Sequence, residues 1–359
     1  MTALIGTLVN RPAAALVYTG TSRLVLPDTY VGVEVEAENV PRSFMDRPPP
    51  DIKTHWHPHI DDSLRDNGME FAFAQPLFGM DVINAIVTLC EVARKHDFKT
   101  SMRTGLHVHI DVRELNLDQF IRLQVLYALV EAPIFRWVGD GRDKNHFCLP
   151  WYVAQGDLRK AASAFMAPPP ECQKILERVH RYSACNLQAV AKFGSLEFRH
   201  LKTCFDSSRI IQWINILLSL KKAAVNSIIP PEALCEYSLN IGARQFLNEV
   251  FGPIATELWY PDYYKDIYEF GALSAEEIIR AVTPKSTSPA IADAMWRTML
   301  YQQMEDEGDS AGYTRLISKL ANKAKISAAI DIQPADPIDA GPIDMFEQLP
   351  PIQEEEDLF

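Results

Sequence analysis

Six cysteines, Cys90, Cys148, Cys172, Cys185, Cys204 and Cys235, are scattered through 359 residues without one CxxC pair. Neither a metal clip nor a redox pair is written in that spacing, and the six read as reduced thiols, several of them in the core. No stretch of 18 apolar residues occurs, which excludes a membrane-spanning helix, and no charged segment precedes a long apolar run at the N-terminus. The expectation is therefore a cytoplasmic protein with no membrane contact. The GxxxxGK[ST] run of P-loop enzymes is missing. Internal repeats are missing too.

Positive charge is missing from the end of the chain. Residues 331–359 hold nine acidic residues and no Lys or Arg, so they supply most of the formal charge of −12 and leave residues 1–330 at −3. An acidic chain argues against nucleic acid as a partner. The tail is rich in Pro, Asp and Gln, which predicts disorder. It ends in Glu354-Glu355-Glu356-Asp357-Leu358-Phe359. Such an end suits docking into a basic, apolar pocket of a protein partner, a solubilising linker, or folding back over the chain's own site.

What the chain does have is a set of strands with charged faces. Residues 105–111, GLHVHID, alternate with the period of a half-buried strand. His107, His109 and Asp111 point one way, and Leu106, Val108 and Ile110 the other. Residues 30–38, YVGVEVEAE, place Glu34, Glu36 and Glu38 together; residues 69–73, MEFAF, carry Glu70; residues 195–201, SLEFRHL, pair Glu197 with Arg199. One such strand is a solvated sheet face. Four of them point to convergence, and converging carboxylates repel unless cations lie between them.

Between these strands the periodicity predicts helices over 81–96, over 117–131 with Asn116 as cap, near 156–166, and over 207–228. Residues 1–27 can add an edge strand. Residues 39–60, with HWHPH at 55–59, read as a loop, as do 139–150. Residues 181–190 and 195–201 read as a hairpin around Lys192-Phe193-Gly194. Beyond Pro230-Pro231 the pattern is helical, with a capping box at Ser274–Glu277 and an N-cap at Ser288-Pro289.

A cavity lined by Glu34, Glu36, Glu70, His107, His109, Glu197 and Arg199 is rich in oxygen ligands, which select hard divalent ions such as Mg²⁺ or Mn²⁺. With an Arg close by, that set suits phosphoryl transfer. HxHxxxxE at His107, His109 and Glu114 also fits a cupin-like metal enzyme, and a non-catalytic scaffold that keeps the fold is a third reading.

Six stretches taken in order carry a resemblance: GVEVE at 32–36, DDSLRDNGMEF at 61–71, GLHVHID at 105–111, RDKNHFCLP at 142–150, RYSACNLQA at 181–189 and GSLEFRHLKTCFD at 194–206. Over roughly residues 28–222 the chain resembles the amidoligases of the glutamine synthetase and glutamate–cysteine ligase superfamily. The resemblance implies an α+β fold, an antiparallel curved sheet forming a glutamine synthetase-like funnel with helices outside. It implies a catalytic domain over 28–229; the sequence pattern sets beside it an N-terminal extension over 1–27, a helical region over 230–330 and the acidic tail over 331–359. It also implies ATP, Mg²⁺ or Mn²⁺, and an amide or isopeptide bond made from a small-molecule or peptide carboxylate and an amine through an acyl phosphate. Glu34 would hold one metal with His107 and Glu197, and Glu36 another with Glu70 and Asp62. His109 would lie near the nucleotide phosphates and Arg199 would face the transferred phosphoryl group. Arg142, Asn145, Arg181, Tyr182 and Asn186 would bind ATP or substrate. Lys202-Thr203 where the family has Gly-Thr, the GDG before Arg142, and the HWHPH run depart from the pattern and bear on substrate choice.

Overall fold

The structure is a computed structural model, and it describes residues 3–13, 16–261, 263–266 and 270–282. Its centre is a sheet of six strands among the described residues: β1 Val31–Ala37, β2 Trp56–Ile60, β3 Met69–Phe73, β4 Gly105–Asp111, β5 Cys185–Asn186 and β6 Ser195–Lys202. They lie in the order β2-β3-β1-β4-β6-β5, each antiparallel to its neighbours. The chain is thus α+β with an open antiparallel sheet.

Alternation builds the two faces. Val33, Val35, Phe71, Leu106, Val108, Ile110 and Phe198 are buried on one side. The helices Leu117–Val138 and Ser207–Asn226 pack against β6 and β4, and Gly79–Lys95 packs on Ser207–Asn226. The helix Leu117–Val138 starts at a capping box, in which Asn116 accepts from the Gln119 N–H and Gln119 accepts from the Asn116 N–H. It continues seven residues past the predicted end and carries Pro133 inside it, because Ile134, Phe135 and Val138 are buried.

Several expectations are corrected. The first residues form a helical turn, Ile5–Leu8, and one bridge from Leu4 to Asn116 instead of an edge strand. HWHPH is mostly strand β2. Pro58 is tolerated there because β2 lies at the sheet edge, where half of the backbone ladder is not required. The expected hairpin at 181–201 is a two-residue strand, then the helix Gln188–Phe193, then β6. Gly194 closes that helix at φ +73°, a conformation open to glycine. Ser274 lies within the helix Ala272–Val282, so the capping box is absent, and Glu277 pairs with Arg159. The described residues of 234–282 are largely helical, and the helix Ala272–Val282 packs on Leu117–Val138 and Gln155–Ala164. Ser288-Pro289 and the tail over 331–359 lie outside the described residues.

Candidate functional site

The register of the sheet brings the charged positions together. Glu34 stands opposite His107 across β1 and β4, Glu36 opposite Glu70 across β1 and β3, and His109 opposite Glu197 across β4 and β6. Every residue of β4 is buried, so the centre of this polar face is shielded from solvent. His107 Nδ1 lies 3.1 Å from Glu34 Oε2 and 3.7 Å from Glu197 Oε1, and its Nε2 lies 3.9 Å from Glu36 Oε1. His109 Nε2 lies 3.3 Å from Glu34 Oε1, and its Nδ1 lies 3.0 Å from Ser195 Oγ.

Two glycines make room for this packing. A Cβ on Gly105 would come 2.8 Å from His107 Nε2, and the Gly105 N–H donates to Glu36 Oε2 at 2.6 Å. A Cβ on Gly32, opposite His109, would come 3.1 Å from the His109 Cβ. These are the glycines that open GLHVHID and GVEVE, so part of each motif is steric.

A bulge sets Arg199. Leu106 pairs with Leu201 and Val108 with Phe198, so His107 alone faces both Arg199 and His200. The extra residue keeps Arg199 on the polar face beside Glu197 and returns Leu201 to the core. Arg199 Nη1 is paired with Glu197, and its Nε donates to the Phe147 carbonyl at 3.1 Å. Glu197 also accepts from Asn186 Nδ2 at 2.7 Å.

Electrostatics show crowding. Burial pushes the Glu34 carboxyl up, but hydrogen bonds and charge from His107 and His109 outweigh it and leave it well below the usual range. Burial also raises Glu197, where Arg199, His109 and His107 prevail and lower it. Burial raises Glu36. Burial together with the Glu34 charge pushes Glu70 up to about 7. His109 is raised, because contacts with Glu34 overcome its burial.

Among the described residues three groups have ligand atoms within 4.8 Å of one another, two with an imidazole and one of carboxylates alone: Glu34, Glu70 and His107; Glu34, His109 and Glu197; Glu36, Asp61 and Glu70. The donor set fits divalent ions. His109 Nε2 is buried and lacks a hydrogen bond of good geometry although Glu34 is near, the state of an imidazole that a cation would complete. His107 joins Glu34 and Glu70 in one of these groups, and His109 joins Glu34 and Glu197 in another.

Asp61 takes the place expected of Asp62, which is exposed. The signal was the alternation of β2: His57, His59 and Asp61 continue one face, and reading HWHPH as a loop hid it. His59 Nε2 meets Glu70 Oε1 at 2.9 Å, another contact missed for that reason. Arg142 is buried, and its Nε and Nη2 donate to the carbonyls of His200 and Arg199 at 3.0 and 2.8 Å. It therefore holds the bulge and does not face a ligand with those groups. Asn145 accepts from the Phe147 N–H within its own loop. Arg181 lies over the Tyr182 ring and donates to its hydroxyl, and Tyr182 packs edge-on to Phe147. Arg181 and Tyr182 thus flank the Arg199 side of the sheet. Glu114 pairs with Lys221, away from His107 and His109, so the cupin-like set does not form. Asp111 is engaged by Arg113, and Glu38 accepts from Arg65 N–H and Ser101 Oγ.

A cavity of about 380 Å³ opens on the Glu34, Glu70 and His109 end of this face. Among the described residues no helix is long and apolar enough to cross a membrane.

No model of a protein family matches the chain, and no curated protein matches it. Among solved structures the chain is similar to the crystal structure of a bifunctional glutathione synthetase from Pasteurella multocida, at 12% identity and a TM-score of 0.32, over 82% of this chain and 51% of that one. The chain spans about half the length of that enzyme. At that TM-score the likeness carries no argument, and the geometry of the polar face carries the functional reading.

Proposed function

We propose that this protein is an ATP-dependent carboxylate–amine ligase that uses Mg²⁺ or Mn²⁺. The observation that supports this most is the meeting of Glu34, Glu36, Asp61, Glu70, His107, His109 and Glu197 on one sheet face, four of them buried, with Arg199 beside them. A face that only stabilises a fold has no use for carboxylates this close, because each adjacent charge raises the cost of ionising the next.

Glu34, His109 and Glu197 would hold one divalent ion, and Glu36, Asp61 and Glu70 a second. Bound there, the ions neutralise phosphate oxygens and draw charge from the phosphorus. Glu197 and the Phe147 carbonyl fix Arg199, whose Nη2 has no hydrogen bond among the described residues and can meet a phosphoryl oxygen. Arg142 holds the backbone that carries Arg199. In the reaction, a carboxylate oxygen of the substrate attacks the γ-phosphorus of ATP and ADP leaves. An amine then attacks the acyl carbon, the C–N bond forms, phosphate leaves with the electron pair of the C–O bond, and a nearby carboxylate takes the amine proton.

The test is ADP release by the full-length protein with paired carboxylates and amines, followed by mass analysis of the products. The proposal requires a pair that gives Mg²⁺-dependent ADP release together with a product lighter than its two substrates by one water. ADP release that is the same with and without the carboxylate would overturn it.

A further inference from the structure

The cavity at the Glu34 end has two kinds of wall. Glu34 and Glu70 lie at its inner end, and both are partly exposed. Most of the remaining wall is apolar, formed by Tyr30, Ala72, Phe73, Ala74, Pro76 and Phe193. Tyr30, Ala72 and Ala74 share the strand parity of the carboxylates, so they belong to the same sheet face. Phe193 is 59% exposed at the last residue of its helix, with its ring edge-on to His109 at 5.6 Å. An exposed phenyl ring beside a cavity of this size is a feature of ligand sites more than of protein packing.

Charge separates this cavity from the β6 end of the same face. The guanidinium that lines it, Arg113, is held by Asp111 through bonds of 2.9 and 2.7 Å, and His59 is held by Glu70. His109, the third basic side chain that lines it, faces Glu34 at 3.3 Å, so each of the three already stands against a carboxylate. Arg199 and Arg181 lie on the β6 side, linked through Phe147 and Tyr182. Anionic reactants are thus matched to the β6 side, and a cation to the Glu34–Glu70 end.

We propose that this cavity binds the amine substrate of the ligase, and that the amine is a primary ammonium on an uncharged apolar body about the size of one ring. The inference rests on the ligase reading for the word substrate, but not for the binding. The ammonium meets the carboxylate oxygens of Glu34 and Glu70 that hold no ion, since each residue gives one ligand atom to its group, and the ring lies between Tyr30 and Phe193, where a cation beside aromatic faces is also favoured. A diamine of similar length fits poorly, because its second ammonium would be desolvated against Ala74 and Pro76 without a partner.

The experiment is isothermal titration of the full-length protein, loaded with Mg²⁺ and free of ATP, with benzylamine, putrescine, phenylacetate and adenosine. Benzylamine should bind at least about tenfold more tightly than putrescine, a difference of about 1.4 kcal/mol. Ala72→Phe, which fills the cavity, should remove benzylamine binding while Mn²⁺ binding persists. Phe193→Ala, at an exposed position, should weaken it about tenfold and guards against misfolding of the first variant. The proposal is overturned if putrescine binds as well as benzylamine, or if both variants bind benzylamine as the parent does. It is also overturned if phenylacetate or adenosine, in place of benzylamine, is the ligand that Ala72→Phe and Phe193→Ala displace. ATP is absent, so a chain that binds benzylamine but makes no amide sinks the ligase reading alone. A working ligase that ignores benzylamine sinks this one alone.

Discussion

Two clusters of buried carboxylate and imidazole lie on opposite sides of the same sheet, and they differ in what completes them. Behind the sheet, Glu131 accepts from the Trp151 N–H at 2.8 Å and from the Tyr127 hydroxyl at 2.7 Å, and Tyr127 is 2.9 Å from His200 Nε2. Burial pushes Glu131 up to about 7 and, with the Arg142 charge, pushes His200 down to about 3. One carboxyl and one neutral imidazole share a closed, aromatic-walled space. His200 leaves Nδ1 unpaired, but the side chain is fully buried and the rings of Phe135 and Trp213 stand against it. On the front, five carboxylates and two imidazoles crowd together, and the open side is a cavity. Burial of an acid beside a histidine is common to both. Unrelieved like charge with access from outside belongs to the front alone, and that distinction supports a site there.

The comparison breaks most sharply in catalysis. Glu197→Gln and Arg199→Ala should each lower turnover by about 10²–10³ while leaving the fold intact, the usual loss for a charge-stabilising group. Circular dichroism checks the fold, and ADP release checks the rate. The mirror-image result is expected behind the sheet. Glu131→Ala leaves the buried Trp151 N–H without its acceptor, at about 1–3 kcal/mol, so urea unfolding should show the loss while Mn²⁺ affinity stays as it was.

The two sides also separate by pH. Glu131 has a folded pKa near 7 against an ordinary 4.5. The folded state therefore binds more protons between those values. Its contribution is complete below pH 4.5 and is lost as pH rises through 7, by about 3 kcal/mol. Glu131→Gln should flatten that part of the stability–pH curve, and an unchanged slope would place the titration elsewhere. A smaller effect is expected at the bulge. Arg142→Lys removes the paired donation to the His200 and Arg199 carbonyls and should cost about 1–2 kcal/mol in turnover, carried by kcat with KM and metal affinity little changed.

The alternation of GVEVE and GLHVHID made the two central strands and their polar face readable, because the period of a strand fixes which residues share a side. The bulge was not readable: nothing local in Phe198-Arg199-His200-Leu201 says that two residues oppose one, and only pairing with β4 does. Arg142 was read as a ligand-binding residue because a charged side chain in a polar loop gives no sign that β6 carbonyls will receive it. Asp61 was missed in favour of Asp62 because Pro58 disguised an edge strand whose odd-numbered positions face the site. Pro133 likewise disguised the length of its helix, which burial of Phe135 and Val138 sustains.

The central claim is that the front face is a divalent-metal site serving phosphoryl transfer. The most direct measurement is titration of the metal-stripped, full-length protein with Mn²⁺, followed by electron paramagnetic resonance of the free ion, in the parent chain and in Glu34→Gln, Glu197→Gln and Glu131→Gln. The account expects two ions per chain, one on Glu34, His109 and Glu197 and one on Glu36, Asp61 and Glu70, with ATP tightening their binding. Glu34→Gln and Glu197→Gln should each lose one ion, and Glu131→Gln should lose none. Equal Mn²⁺ binding in the parent, Glu34→Gln and Glu197→Gln would contradict it.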